Sequence, residues 1–491
     1  MVKYSCERCG KEFSQKSHYD SHNRRKTPCE NNSDKIKALV DKAIEEKLKE
    51  LKELNNKKLI VENEKVTVNT DTMEHQQPKE VKYIDLCSGI GGFRTALESM
   101  DNINSKCVLS ADIKQDAIDT YNLNFNENNI ITDIYTLKNE DIEPFDLLCA
   151  GFPCQPFSSA GQKKGFSDKR GGMIFKIIDI CKYHKPSFVV LENVYNLMTL
   201  EKGNCIKKIK KLFEDIGYIV NYEKLNSFNF GCAQSRVRVY IVCTKDNTFN
   251  FEDIKYKPKV NLNSIIDYTN KETKINPTFC KKILQLHKES PVFGCKIGDK
   301  RGGKNNIHSW DIGHNGIIST EEKKLMKQIM LNRRKKHWAK NKNIVWMDGM
   351  PLTYDEIKTF YENDNLKNML ANLVSKKYLR LEKPKDLVDG KRKYKEDASE
   401  GYNICKGKLS FPISKILDPN DISPTLTATD SHKLAVIIDD NTIRNLSSTE
   451  MKKICGFPDS FVVPNHVNYG DLFGNMATPP VIKEIFEILL S

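Results

Sequence analysis

The 491-residue chain contains no apolar run approaching the ~18 residues of a membrane-spanning helix. Its first residues, Met1-Val-Lys-Tyr-Ser-Cys-Glu-Arg, are polar and carry none of the apolar core of a secretion signal. Neither membrane insertion nor export is therefore expected. Acidic residues fall short of basic ones, 65 against 78, and the net charge of +13 points to a polyanionic partner, most simply nucleic acid. Cysteine is plentiful, with 15 residues, but scattered through what reads as an α/β enzyme. That usage argues for a reducing compartment, with thiols or metal ligands rather than disulfides. The abundance of Lys, Asn and Ile suggests an AT-rich genome and says nothing about chemistry.

Residues 1–30 read as a unit of their own. Cys6-x2-Cys9 is followed by Phe13, Tyr19, His22 and Cys29. This spacing puts two thiolates on a hairpin knuckle and a histidine on a helix, and a core of Phe13 and Tyr19 is too small to hold without metal. The expected zinc ligands are Cys6, Cys9, His22 and Cys29; His18, one helical turn before His22, is the alternative for the fourth place. Residues 34–54 carry Ile36, Val40, Ile44, Leu48 and Leu51 at helical spacing. They form either a short coiled-coil dimeriser or a solvated spacer helix. Residues 55–80 are polar, without periodicity, and read as a flexible linker.

From residue 81 the texture alternates. Strands are expected over 81–86, 107–111, 145–150 and 188–192, with helices over 91–98, 115–122, 173–181 and 205–216. That order implies a parallel sheet with helices on both faces. The strand at 145–150 runs into Gly151-Phe152-Pro153-Cys154-Gln155-Pro156. Each proline fixes its own φ and biases the residue before it toward extended geometry, so Cys154 rides a stiff loop at a strand end. A nucleophile is presented in this way; the competing reading is a small core thiol.

Three other segments reach the same sheet edge. Asp85-Leu-Cys-Ser-Gly-Ile-Gly-Gly-Phe93 is a strand, a glycine-rich turn and a helix start, but it lacks the third glycine of the dinucleotide fingerprint. Asp112 ends the second strand, in reach of a ribose, and Asp133-Ile134 could meet an adenine edge; turn or cap roles are the alternative for both aspartates. Glu192 closes the run Phe188-Val-Val-Leu191. Burial there favours its protonated form, as a general acid requires. Finally, 234–241 reads as one strand of period two, with Arg236 and Arg238 on one face, aimed at a phosphate or a carbonyl oxygen.

Taken in order, these motifs make residues 81–491 resemble the cytosine-5 DNA methyltransferases. Asp85–Phe93 is similar to the family's S-adenosylmethionine loop, and Gly151-Phe-Pro-Cys-Gln-Pro-Phe-Ser158 to its nucleophile loop. Glu192-Asn-Val matches its acid, and Gln234-x-Arg236-x-Arg238 its substrate strand. Asp168-Lys-Arg-Gly171, Ser423-Pro-Thr-Leu-Thr-Ala428, Gly456-Phe-Pro458 and Gly474-Asn475 fill the remaining places. The resemblance implies a doubly wound S-adenosylmethionine-dependent α/β sheet over 81–250. It also implies an inserted target-recognition domain over 251–422 and a return to the catalytic domain over 423–491, behind the ββα finger and the 31–80 linker.

The same resemblance implies the chemistry. The Cys154 thiolate adds to cytosine carbon 6, Glu192 stabilises a proton on ring nitrogen 3, and carbon 5 takes the methyl group. Arg238 and Arg236 hold the base oxygen and the flanking phosphate, and the base is flipped out of double-stranded DNA. The implied cofactor contacts are Asp85, Cys87, Ser88, Gly89, Gly91, Gly92 and Phe93, with Asp112, Ile113, Asp133, Ile134 and Asn475. Two positions depart from the family pattern: Cys87 stands where phenylalanine is usual, and Asp112 where glutamate is commoner. Runs such as Asn332-Arg-Arg-Lys-Lys-His-Trp338 and Lys391-Arg392-Lys393-Tyr394 suit phosphate contact. A tRNA-methylating relative and an inactive DNA-binding scaffold are the alternatives. The expected setting is intracellular, either a bacterial cytoplasm with restriction–modification or the replication compartment of a virus-infected cell.

Overall fold

The computed structural model describes residues 79–152, 172–246, 249–299, 303, 305–345, 349–405 and 411–491, together with residues 4–5, 12–13 and 20. Cys154, the finger ligands Cys6, Cys9, His22 and Cys29, and the predicted helix at 34–54 lie outside the described residues. The chain divides into two compact units, Met1–Gln77 and Pro78–Ser491. In the first, Tyr4–Ser5 pairs antiparallel with Glu12–Phe13.

The second unit is built on a six-stranded sheet. Its strands are β1 (Lys79–Leu86), β2 (Ile103–Ala111), β3 (Leu147–Ala150), β4 (Phe188–Val194), β5 (Ile219–Asn226) and β6 (Val237–Thr244). Their spatial order is β2-β1-β3-β4-β6-β5. β1 pairs parallel with β2 and β3, and β3 parallel with β4, but β6 runs antiparallel to both β4 and β5. The expectation of a parallel sheet therefore holds for four strands only. β5 and β6 are joined by a short reversal without a crossover helix, and such a connection can only produce antiparallel neighbours.

Helices cover both faces, as buried apolar strands require. Alternation along β1 sends Ile84 and Leu86 to one core, shared with helices α3 (Met173–His184) and α4 (Asn204–Glu214). Val81 and Tyr83 go to the other, shared with α1 (Gly92–Glu98) and the last helix, Pro479–Leu489. α2 (Gln115–Phe125) follows β2. The predicted strand at 234–241 is interrupted. Gln234–Ser235 leaves the main sheet to pair with Ser423–Pro424, and β6 starts only after Arg236. A five-stranded sheet then takes strands from residues 296–307 and 415–416 and from 434–445, so it spans residue 422. Residues 310–404 close around their own core of Trp310, Leu325, Ile329 and Leu370. No helix of the described residues is long and apolar enough to cross a membrane.

Candidate active site

The carboxyl ends of β1 to β4 open onto one cavity of about 560 Å³. After Leu86 the chain turns through Cys87 (φ 54°) and Gly89 (φ 55°), both left-handed. A side chain built on Gly89 would meet nothing within 4 Å, so this turn faces open space at the cavity wall. Gly91 and Gly92 are small for a different reason. A Cβ on Gly91 would overlap the Phe125 ring, and one on Gly92 the Ala477 carbonyl. Close packing of the protein on itself, not of a ligand, requires them.

Asp112 is already engaged. Its Oδ2 accepts from the Gly89 N–H at 2.8 Å and its Oδ1 from the Lys114 N–H at 2.9 Å. Each carboxylate oxygen keeps a further lone pair for a ligand hydroxyl. Beside it Ile113 is 66 % exposed at the cavity wall, an apolar platform for a flat ring. Asp133 caps a short 3-10 turn, accepting from the Tyr135 N–H at 3.0 Å, and Ile134 packs into the core while lining the cavity. Asn475 arrives from the carboxyl-terminal segment, its Nδ2 donating to Asp471 Oδ1 at 2.7 Å.

Into the same cavity β4 delivers Glu192, which is buried, with its Oε1 3.0 Å from Arg238 Nε. The antiparallel register, Glu192 opposite Tyr240 and Val194 opposite Arg238, makes this pairing. Burial raises the Glu192 carboxyl above its usual range, against the opposing pull of Arg238 and Arg236. Gly151 follows β3, and a Cβ there would stand 3.9 Å from Glu192 Oε2. Asn193 Nδ2 donates to the Phe152 carbonyl at 3.3 Å, two residues before Cys154. Gly151 and Phe152 therefore leave β3 directly beside the carboxyl group.

The two arginines part company. Arg238 reaches Glu192 at the cavity. Arg236 is 2 % exposed, and its guanidinium donates to three main-chain carbonyls: Leu426 at 3.4 Å, Gly474 at 3.1 Å and Met476 at 2.7 Å. Burial, with Arg238 nearby, pushes its pKa down to about 10. Arg236 also lines the cavity, and these three bonds make it a staple that fixes the residues on either side of Asn475. The interruption before β6 turns this side chain inward.

The expected loop contacts also divide. Cys87, Gly89, Asp112, Ile113, Asp133, Ile134 and Asn475 line the cavity, whereas Asp85, Ser88, Gly91, Gly92 and Phe93 do not. Asp85 is fully buried on the β1 face of Val81 and Tyr83, and burial holds its carboxyl well above the usual range. Phe93 packs against Phe486 in the core, and the Ser88 N–H closes onto the Ala111 carbonyl. Lys114, Met173 and Asp471 line the wall without having been anticipated. Asp471 carried one signal, its place one helical turn before Asn475. Cys87 Sγ lies 3.2 Å from Met173 Sδ, and burial pushes its thiol far up, away from a thiolate role. Among the described residues the cysteines are free thiols, and no cluster of His, Cys, Asp or Glu is arranged to hold a metal.

A glycine turn, an aspartate after the second strand and a buried, arginine-paired acid thus meet at one edge of an α/β sheet. The sequence profile of the C-5 cytosine-specific DNA methylases matches residues 81–491, and the chain belongs to that family. It is similar to the type II methyltransferase M.NlaIV of Neisseria lactamica, 40% identical over 84% of this chain and 99% of that protein. M.NgoBV of Neisseria gonorrhoeae is 39% identical over the same shares. M.BanI of Aneurinibacillus aneurinilyticus is 34% identical over 84% of this chain and 96% of its own length. The protein is a DNA cytosine-5 methyltransferase with S-adenosylmethionine as methyl donor.

Proposed function

We propose that this enzyme methylates cytosine within a specific double-stranded DNA sequence, in a restriction–modification setting, through a covalent adduct on Cys154. The observation that carries the reading is the buried Glu192–Arg238 pair beside Gly151, two residues before Pro153-Cys154 begins, in the cavity that Asp112 also lines. Cytosine carbon 5 is a weak nucleophile. Addition of the Cys154 thiolate to carbon 6, with Glu192 holding a proton at ring nitrogen 3, raises electron density at carbon 5. Arg238 keeps Glu192 oriented and offers its remaining donors to the base oxygen. Once carbon 5 carries the methyl group, loss of its proton to a base, departure of the Cys154 thiolate and return of the nitrogen-3 proton to Glu192 restore the enzyme. A ring inside a duplex is out of reach of the thiol, so the base must be extruded.

The cavity fits S-adenosylmethionine: Gly89 faces open space, Ile113 offers an apolar surface, and Asp112 retains acceptor capacity. When bound, the cofactor supplies an electrophilic methyl group. Asp112 would hold its ribose, Ile113 and Asp133 its base, and Gly89 and Asn475 would close the pocket around it.

Residues 251–422 are the proposed target-recognition region. Within it Lys385–Val388 and Lys391–Tyr394 form an antiparallel hairpin across Asp389 and Gly390, both at positive φ, as a tight two-residue turn demands. All four residues of Lys391–Tyr394 are exposed, which suits contact with phosphates. We assign residues 1–30 to a zinc finger with ligands Cys6, Cys9, His22 and Cys29. The pairing of Tyr4–Ser5 with Glu12–Phe13 supports it, since the residues joining those strands include both Cys6 and Cys9.

The test is to incubate wild type and Cys154→Ala with labelled S-adenosylmethionine and plasmid DNA, then map methylated positions by bisulfite sequencing. Label at one sequence context, absent from the variant, is expected. Label of equal extent with Cys154→Ala, or label in tRNA alone, would refute the reading.

A further inference from the structure

Asp112 and Asn475 lie far apart in the chain, yet a continuous run of polar contacts connects them at the cavity wall. Asp112 Oδ1 accepts from the Lys114 N–H at 2.9 Å. Lys114 Nζ forms a hydrogen-bonded ion pair with Asp471 Oδ2, and Asp471 Oδ1 accepts from Asn475 Nδ2 at 2.7 Å. Lys114 and Asp471 both line the cavity, and both are only partly exposed, at 43 % and 21 %.

The pair is also the innermost member of a seam between α2 and the carboxyl-terminal segment. Farther along that seam, the Asn468 N–H donates to Asp116 Oδ2 at 3.0 Å, and His466 pairs with Asp119 at 2.9 Å. Asn124 and Val462 exchange two hydrogen bonds of 2.7 Å. Those outer contacts hold the segment in place without touching the cavity. They leave Lys114–Asp471 with a separate task at the wall.

We infer that Lys114 and Asp471 form a latch that positions Asn475 and the Asp112 loop on opposite sides of the bound cofactor, so that cofactor affinity depends on this ion pair. The inference rests on the cofactor placement proposed above. Both are positioning residues. Lys114 draws Asp471 toward β2, and Asp471, so drawn, turns the Asn475 amide by accepting from it. A half-exposed pair of this kind weakens as salt rises.

Calorimetric titration with S-adenosylhomocysteine on the full chain tests the latch. Asp471→Asn keeps an acceptor for Asn475 but loses the charge, and affinity should fall roughly 5- to 10-fold, the low end of the usual coupling between sites. Asp471→Leu loses both side-chain functions, leaving Asn475 only the Asp471 main-chain carbonyl it also donates to at 3.0 Å, and should fall further. Lys114→Met should match Asp471→Asn and make affinity less sensitive to salt. In steady state the effect should appear in KM for S-adenosylmethionine rather than in kcat. His466→Ala, which removes an outer contact of the same seam, should leave affinity unchanged.

Equal affinity in wild type and Asp471→Leu would overturn the latch. So would an equal loss in His466→Ala, which would mark a purely structural seam. Failure of the wild type to bind S-adenosylhomocysteine would instead overturn the cofactor placement itself.

Discussion

Arg236→Met distinguishes a staple from a substrate contact. Methionine fills a similar volume but donates no hydrogen bond, so the carbonyls of Leu426, Gly474 and Met476 lose their partner. Each buried carbonyl left unpaired costs about 1–3 kcal/mol. Removing a guanidinium whose own burial is unfavourable, as its lowered pKa records, offsets part of that sum. The net loss should be about 3–5 kcal/mol, the usual range for deleting one side of a buried charged interaction. Urea unfolding followed by circular dichroism reads it as a lower midpoint. Because Gly474 and Met476 flank Asn475, affinity for S-adenosylhomocysteine should fall in parallel. Arg236→Lys, which can keep one of the three bonds, should fall between wild type and Met. An unchanged urea midpoint together with a raised KM for DNA would refute the staple and return Arg236 to the substrate.

Glu192→Gln should lower kcat/KM by about 10²- to 10⁴-fold, the usual contribution of an acid or base. It should also alter the pH dependence of stability. The folded carboxyl titrates above the unfolded one, so wild-type stability from this group is full below the ordinary carboxylate range and is lost as pH rises through the raised value. The variant should lack that slope, and identical urea midpoints against pH for the two proteins would count against the buried acid. Elemental analysis should find about one zinc per chain, lost in Cys6→Ser; a metal-free preparation with an ordered finger would contradict the assignment. Lys391→Ala with Lys393→Ala should weaken DNA binding alike across sequences and flatten its salt dependence by about one to two counterions. A change confined to one DNA sequence would make the hairpin a reader of bases instead.

Much of the frame is legible from local pattern. Runs such as Phe188-Val-Val-Leu191 are apolar on both faces, and a strand buried on both faces is their natural state; it forms, two residues longer than expected. The helices at 92–98, 115–125, 173–184 and 204–214 lie within a few residues of their predicted places because apolar spacing and breakers act over one or two turns. Gathering of Gly89, Asp112, Glu192 and Arg238 at one cavity follows from the same frame, since each sits at or beside the end of a strand.

Side-chain assignments made by position within a motif fared less evenly, and for a physical reason. A glycine in a turn can face a ligand or another part of the chain, and only the packing partner decides. Gly89 meets open space, while Gly91 and Gly92 meet Phe125 and Ala477. The sequence by itself determined the alternating elements, the sheet edge where the site lies and the order of its chemical groups, because these depend on short-range periodicity. Tertiary structure alone decided that β6 runs antiparallel, that Arg236 faces inward and that Lys114 meets Asp471. The direction of β6 follows from its pairing with β4 and β5, while the Arg236 and Lys114 contacts join residues 190 to 357 positions apart, which no local pattern encodes.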